Sequence, residues 1–279
     1  MTRPDSTPAT SASSTTSMAE VPSKRSMAAD ATTRAAAPGR RMRAQAAFEG
    51  RTLLANGEQL LVSLLLPAIA LLGLHFASTP DLGPGRRIDL ATPGVLALAV
   101  VSTAFTGQAI ATGFDRRYGV LRLLGVTPLG SRGLLVAKAV AVAGVVAVQT
   151  LVLGGLGLVL GWHPHWVGVP LAIVFLLLAC WVFVALALVV AGRIRAEGVL
   201  VVANLLWVLL AVGGGLLLAT TQYLSWWEPI ARFLPTGALG DGLRSALTGS
   251  GALALPLVVL VIWGAVLTFA ASRLFRWSD

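Results

Sequence analysis

The stretch 139-AVAVAGVVAVQTLVLGGLGLVLGWHPHWVGVPLAIVFLLLACWVFVALALVVAG-192 contains no Asp, Glu, Lys or Arg. A helix needs about 20 apolar residues to cross the hydrocarbon core of a membrane, so this stretch is too long for one span. Its centre, 161-GWHPHWVG-168, combines Gly and Pro with two Trp, which is typical of a turn at the membrane interface. The stretch therefore predicts two membrane-spanning helices, at about 135–160 and 168–191.

The composition of the whole chain agrees with a membrane protein. Of its 279 residues, 56% are hydrophobic and 12% are charged, whereas about 25% are charged in a typical soluble domain. The net charge of +9 does not form one basic patch, so no nucleic-acid partner is expected. Further apolar runs predict four more spans, at about 59–78, 91–113, 199–219 and 252–271. The predicted fold is an all-α polytopic membrane protein with six transmembrane helices.

The distribution of basic residues predicts the orientation of these spans. Six spans place both termini on one side, and most Arg and Lys residues fall in segments on that side. These are Arg40, Arg41, Arg43, Arg51, Arg116, Arg117, Arg122, Arg132, Lys138, Arg193, Arg195, Arg273 and Arg276. The basic residues on the other side, Arg86, Arg87, Arg232 and Arg244, each have an acidic residue nearby. Both termini are therefore predicted to be cytoplasmic.

The N-terminal part divides into a tail and a helix. Residues 1–39 are rich in Ser, Thr, Ala and Pro and are expected to be a disordered cytoplasmic tail; residues 40–279 form the membrane domain. Residues 40–59 predict an amphipathic helix that lies on the inner leaflet and carries Phe48, Glu49 and Arg51. This helix either anchors the chain or offers a surface that a cytoplasmic partner touches.

The basic segment 114-FDRRYGVLRLLGVTP-128 follows the second span. A helix over residues 115–126 would align Phe114, Tyr118, Leu121 and Gly125 on one face, and Thr127-Pro128 would end it. The segment either rests on anionic lipid or docks into a cytoplasmic protein as a rigid lever. The second interpretation accounts for the ordered helix as well as for the arginines.

The loop 220–251, between the last two spans, predicts a short pair of amphipathic helices on the extracytoplasmic side. The second helix is expected to open at Pro235, with Thr236 as its N-cap. Its leucines recur every four residues, and Asp241 and Arg244 lie on other faces. The hairpin either floats at the outer interface or covers an outward-facing pathway.

Several kinds of site are missing from the sequence. It contains no GxxxxGK[ST], HExxH or GxSxG motif and no paired carboxylates, so neither a P-loop nor a familiar catalytic site is expected. His163 and His165 lack a third metal ligand nearby, and neither a metal nor a cofactor is expected. No charged residue falls near the middle of a span, which disfavours an ion-coupled carrier. Gln108, Gln149 and Asn204 are polar residues within spans that either hold helices together or line a substrate path.

Three stretches resemble the type-2 ABC exporter permeases, which include daunorubicin-type drug exporters and polysaccharide exporters. They are 49-EGRTLLANGEQLLVSLLLPAI-69, 113-GFDRRYGVLRLLGVTPLGSRGLLVAK-138 and 234-LPTGALGDGLR-244, and the resemblance extends over about 44–275. In that family the segment after the second span is a coupling helix that docks into a separate ATPase. The resemblance assigns this role to Asp115, Arg116, Arg117, Tyr118, Gly119, Leu121 and Arg122. Arg122 stands where the family commonly has an acidic residue.

The resemblance implies a transport subunit and not an enzyme. It implies a second copy of the chain or a sister permease, carried by two cytoplasmic ATPase subunits that bind ATP and magnesium. The expected cargo is an apolar or amphipathic molecule, drug-like or lipid-like, exported across a bacterial plasma membrane whose lipids also contact the chain. The alternatives are a membrane scaffold or assembly factor, a polysaccharide or glycolipid exporter, and a membrane enzyme that acts on lipids.

Overall fold

A computed structural model describes residues 38–55, 57–120 and 130–274. The predicted tail of residues 1–39 therefore lies almost entirely outside the described residues. Helices dominate the described residues, which contain no β-strand. The α-helices are α1 (Pro38–Ala55), α2 (Gly57–Phe76), α3 (Arg87–Val101), α4 (Gln108–Arg117), α5 (Gly130–Val159), α6 (Val169–Ala191), α7 (Ala196–Gly213), α8 (Glu228–Phe233), α9 (Pro235–Thr248) and α10 (Ala254–Leu274).

The helix lengths fit a chain that crosses a membrane several times. Within the described residues, five helical stretches are long and apolar enough to span a bilayer: Arg87–Arg117, Gly133–Val159, Trp166–Ala191, Ala196–Gly213 and Ala254–Arg273. Helix α2 has 20 residues, and its apolar part, Ser63–Phe76, is shorter than the five spanning stretches. The chain is a polytopic helical membrane protein, and the sixth span remains a prediction.

Helix α6 lies at the centre of the bundle. It is apolar on every side, as expected for a helix that faces protein on one side and lipid on the other, and it buries Phe175, Cys180 and Phe183 completely or almost completely. It packs against α3, α4, α5, α9 and α10. Between α3 and α4 a π-helical segment, Ser102–Gly107, also contacts α6 and places Phe105 in the core.

The fifth predicted span ends earlier than expected. The predicted range was 199–219, but α7 ends at Gly213. Gly215 follows with a φ of +81°, a backbone conformation that glycine adopts without steric cost. The chain then passes Leu216, which is fully buried, before a single 3₁₀ turn at Thr220–Gln222. Residues 214–219 are therefore an irregular segment inside the protein and not the end of a span.

Helix α9 does not float at an interface, which corrects one interpretation of the hairpin. Most of its residues are buried, and it packs against α3, α6 and α10. Small residues permit this approach, since a Cβ on Gly240 would lie 2.2 Å from the Gly215 carbonyl oxygen. The predicted N-cap is also wrong: Leu234 holds that position, Pro235 begins the helix, and Thr236 is buried in the first turn without a hydrogen bond from its hydroxyl.

We predict that Gly240→Ala destabilises the protein, because its methyl group would meet backbone that cannot move aside. Overpacking of this kind costs about 1–3 kcal/mol. Gly73→Ala is the matched control, since a Cβ there meets nothing within 4 Å. The only cysteine, Cys180, is buried, so its labelling by a thiol-reactive dye reports unfolding on heating. Equal midpoints for the two variants would contradict the close approach of α9 to residue 215.

Candidate functional site

The first part of the candidate site is the end of α4, which the sequence predicts to be cytoplasmic. The helix ends at Arg117, and Gly119 follows with a φ of +74°. A left-handed glycine just after a helix is a common stop signal, so the prediction of one continuous helix over 115–126 is wrong. Leu121, Arg122 and the Thr127-Pro128 stop lie outside the described residues.

The two arginines at this end have different surroundings. Arg116 is buried, with 7% exposure, and its guanidinium donates hydrogen bonds of 2.7 Å each to the carbonyls of Ala191 and Ile194. It therefore caps the C-terminal end of α6, where a cation is favoured. Arg117 is half-exposed and pairs with Glu197 at the start of α7. Tyr118 is 73% exposed, so Arg117 and Tyr118 can reach a partner but Arg116 faces inward.

A buried ion cluster joins two of the predicted functional segments. Lys138 of α5 is completely buried, and its Nζ lies 3.1 Å from Glu49 of α1 and 3.5 Å from Asp115 of α4. The Gln45 side chain also donates a hydrogen bond of 3.2 Å to Glu49. Phe48 and Arg51 of the same helix are exposed. Sequence reasoning used Lys138 only for orientation and missed the cluster, although the lysine directly precedes the long uncharged stretch.

The polar residues within the spans do not gather around one path. Gln149 of α5 donates to the hydroxyls of Thr103, at 2.8 Å, and Ser63, at 3.0 Å, and so joins three helical segments. Gln108 is buried, and its carbonyl oxygen has no hydrogen-bond partner among the described residues. Asn204 is exposed on α7 and donates to the Leu200 carbonyl of its own helix at 2.8 Å. Gln149 therefore holds helices together, and Asn204 faces away from the bundle interior.

The hairpin helix α9 carries a second buried charge pair. Arg244 is 6% exposed, lies 3.2 Å from Asp241, and donates hydrogen bonds to the carbonyls of Gly215 and Leu216. Asp241 also accepts hydrogen bonds from the backbone and hydroxyl groups of Thr220. Burial lowers the pKa of Arg244, and the Asp241 carboxylate opposes that change. The pair fixes α9 to the irregular segment that follows α7.

The two histidines in the turn after α5 make different contacts. His163 Nδ1 lies 2.6 Å from an Arg86 guanidinium nitrogen, and the backbone N–H of His163 donates to Asp89 at 2.9 Å. The backbone N–H of His165 donates to the Leu247 carbonyl of α9 at 2.7 Å. Across the described ranges, no three His, Cys, Asp or Glu side chains come together as metal ligands.

The comparison with protein families gives one clear match. A family model described as "ABC-2 family transporter protein" matches residues 58–273. The match covers all the described helices from α3 to α9 and most of α2 and α10. No curated protein matches the chain.

We predict that Arg244→Met destabilises the protein strongly, because Asp241 would lose its buried counter-charge. Breaking a buried pair in this way costs about 3–5 kcal/mol. The double variant Asp241→Asn/Arg244→Met should recover part of the loss, since no unpaired charge remains. Arg232→Met is the control, because Arg232 is exposed. Heat-induced labelling of Cys180 measures all three, and an equal effect of Arg232→Met and Arg244→Met would exclude a role of the charge pair.

Proposed function

Because the chain belongs to the ABC-2 family of transporter proteins, we propose that it is the membrane-spanning permease subunit of an ATP-binding cassette exporter. The family match over residues 58–273 carries this proposal. Permeases of this family are membrane transport subunits that work with an ATPase and are generally not catalytic. This chain lacks a P-loop, which is consistent with ATP and magnesium being bound by a separate cytoplasmic subunit.

In this proposal, the surface around the end of α4 docks into the ATPase subunit. Arg117 and Tyr118 are exposed there, directly before residues 121–129. Arginine and aromatic side chains are enriched in protein interfaces. Phe48 and Arg51, exposed on α1, would form the second part of the contact. ATP binding closes the paired ATPase subunits, these segments move with them, and the spans rearrange.

The proposed cargo is an apolar or amphipathic molecule, drug-like or lipid-like, that leaves the cytoplasm or the inner leaflet. This class is supported by the pairing of the buried charges in the described part of the chain: Arg116 with backbone carbonyls, Lys138 with two carboxylates, and Arg244 with Asp241. None of these groups is left to neutralise a highly charged substrate. In this proposal, the chain lies in a bacterial plasma membrane, and both of its termini are cytoplasmic.

A second copy of the chain, or a sister permease, completes the proposed transporter. Helix α7 is the least buried of the five spanning stretches, because only 22% of its residues are buried inside the protein. Asn204 lies exposed on this helix near its middle. A polar amide that faces hydrocarbon is unfavourable, and hydrogen bonding between helices of two protomers would remove that cost.

We predict that Arg117→Glu weakens association with the ATPase subunit and lowers transport, because it reverses the exposed charge at the proposed contact. Arg122→Glu, in the family's coupling segment, is expected to act in the same way. Co-purification of the partner ATPase subunit and export of a fluorescent amphiphile measure the two effects. The control is Arg273→Glu, near the end of α10. If both variants insert normally and leave association and export unchanged, the docking surface is not there.

We also predict that Asn204→Cys, made in a Cys180→Ala background, forms a disulfide between two protomers under mild oxidation in membranes. Ile173→Cys is the control, since Ile173 is half-exposed on a different spanning helix, α6. Gel electrophoresis without reductant detects the product. Equal dimer yields from both positions, or a product only with a co-expressed sister permease, would contradict a homodimer that meets at α7.

A further inference from the structure

Among the basic residues that the structure describes, Lys138 stands apart because its carboxylate partners come from two other helices. Its Nζ lies 3.1 Å from Glu49 of α1 and 3.5 Å from Asp115 of α4, and its side chain has 0% exposure. Glu49 and Asp115 have side-chain exposures of 14% and 34%. The ammonium group is therefore enclosed by protein, and carboxylates from two different helices contact it.

This arrangement makes the position of α1 depend on the position of the α4 end. If a buried ammonium group loses one of its two carboxylate partners, it loses part of the attraction that offsets the cost of removing it from water. If α1 moved away alone, Lys138 would lose Glu49; if the end of α4 moved away alone, it would lose Asp115. A joint movement of α1, the end of α4 and the start of α5 preserves both contacts.

The remaining contacts at this end do not provide the same link. Arg116 bonds to backbone carbonyls at and after the end of α6, and Arg117 pairs with Glu197 of α7. Both tie α4 to the helices that follow α5, and neither of these contacts involves α1. Helix α1 packs mainly along α5 and only slightly against α2. Within the described residues, the ion pairs of Lys138 are what connect α1 to α4.

We propose that Lys138 is a positioning residue that couples α1 to the cytoplasmic end of α4, so that these two segments move as one unit during transport. The mechanical role rests on the proposed function, because it treats both segments as parts of the ATPase-facing surface. Lys138 itself contacts neither ATP nor cargo. It acts by keeping Glu49 and Asp115 together while the spans around them rearrange.

The test measures the distance between the two segments in the full-length chain without an ATPase. Nitroxide labels at Ala44→Cys on α1 and Tyr118→Cys after α4, both exposed positions, are introduced in a Cys180→Ala background. Double electron–electron resonance in lipid nanodiscs then gives a distance distribution. The parent should give one narrow peak, and Lys138→Met should lose it in favour of a broad distribution.

Two further variants separate coupling from simple stability. Glu49→Gln and Asp115→Asn keep the side-chain shapes, and each should broaden the distribution. Their combination with Lys138→Met should add nothing, because groups that act through one shared contact are not additive. Glu197→Gln is the matched control, since it breaks an exposed ion pair at the same end of α4 and should leave the peak narrow.

The outcomes are distinct. If Lys138→Met lowers thermal stability but leaves the narrow peak, Lys138 has a packing role only and the proposal fails. If Lys138→Met does not assemble, the two amide variants decide, and narrow peaks for both would overturn the proposal. The distance measurement uses no ATPase, so its result does not depend on the ATPase-docking proposal. A negative result for Lys138→Met would leave the Arg117→Glu association test valid, and a negative association test would leave the distance measurement valid.

Discussion

A charge inside a membrane protein must be matched by protein, because water cannot reach it. This constraint organises the described part of the chain. Arg116, Lys138 and Arg244 are buried, and each is held by groups from segments distant in sequence. Apolar packing in a bilayer does not discriminate strongly between helix arrangements, since lipid tails are as apolar as leucine. The buried cations therefore specify which helix ends meet, while the uncharged helices provide the bulk of the contact area.

Glycine residues allow α9 to approach its neighbouring segments closely. Helix α9 and the segment after α7 pass so near each other that a Cβ on Gly215 would lie 2.9 Å from the Gly237 backbone. Across α9, Gly242 faces the Phe175 ring of α6 with no room for a methyl group. The hairpin can thus sit inside the bundle and bring Arg244 to the carbonyls of residues 215 and 216. Larger side chains would separate these backbones and leave the guanidinium without acceptors.

The helical membrane fold could be predicted from the sequence, because apolar runs of sufficient length have few other interpretations. The family could be predicted because three stretches resemble the type-2 ABC exporter permeases. Helix boundaries set by single glycines were less predictable: α7 ends at Gly213 and α4 stops before Gly119, since tertiary contacts decide which of many glycines breaks a helix. The Lys138 cluster could not be predicted, because its partners Glu49 and Asp115 are distant in sequence. The sequence shows that Asp241 and Arg244 are neighbours of opposite charge. Their burial could not be predicted, because it depends on how α9 packs into the bundle.

The π-helical segment Ser102–Gly107 divides the spanning stretch Arg87–Arg117 into two helices with different main neighbours. Helix α3 packs mainly on α2, α5 and α9 and to a smaller extent on α6, whereas α4 packs on α6 and α7. A π-turn accommodates one more residue than an α-turn, and each α-helical residue advances the helix by about 100° and 1.5 Å. If the segment relaxed to α-helix, α4 would rotate about its own axis by roughly that angle while remaining helical. The stretch Arg87–Arg117 therefore contains a segment at which one end can rotate relative to the other while both ends remain helical.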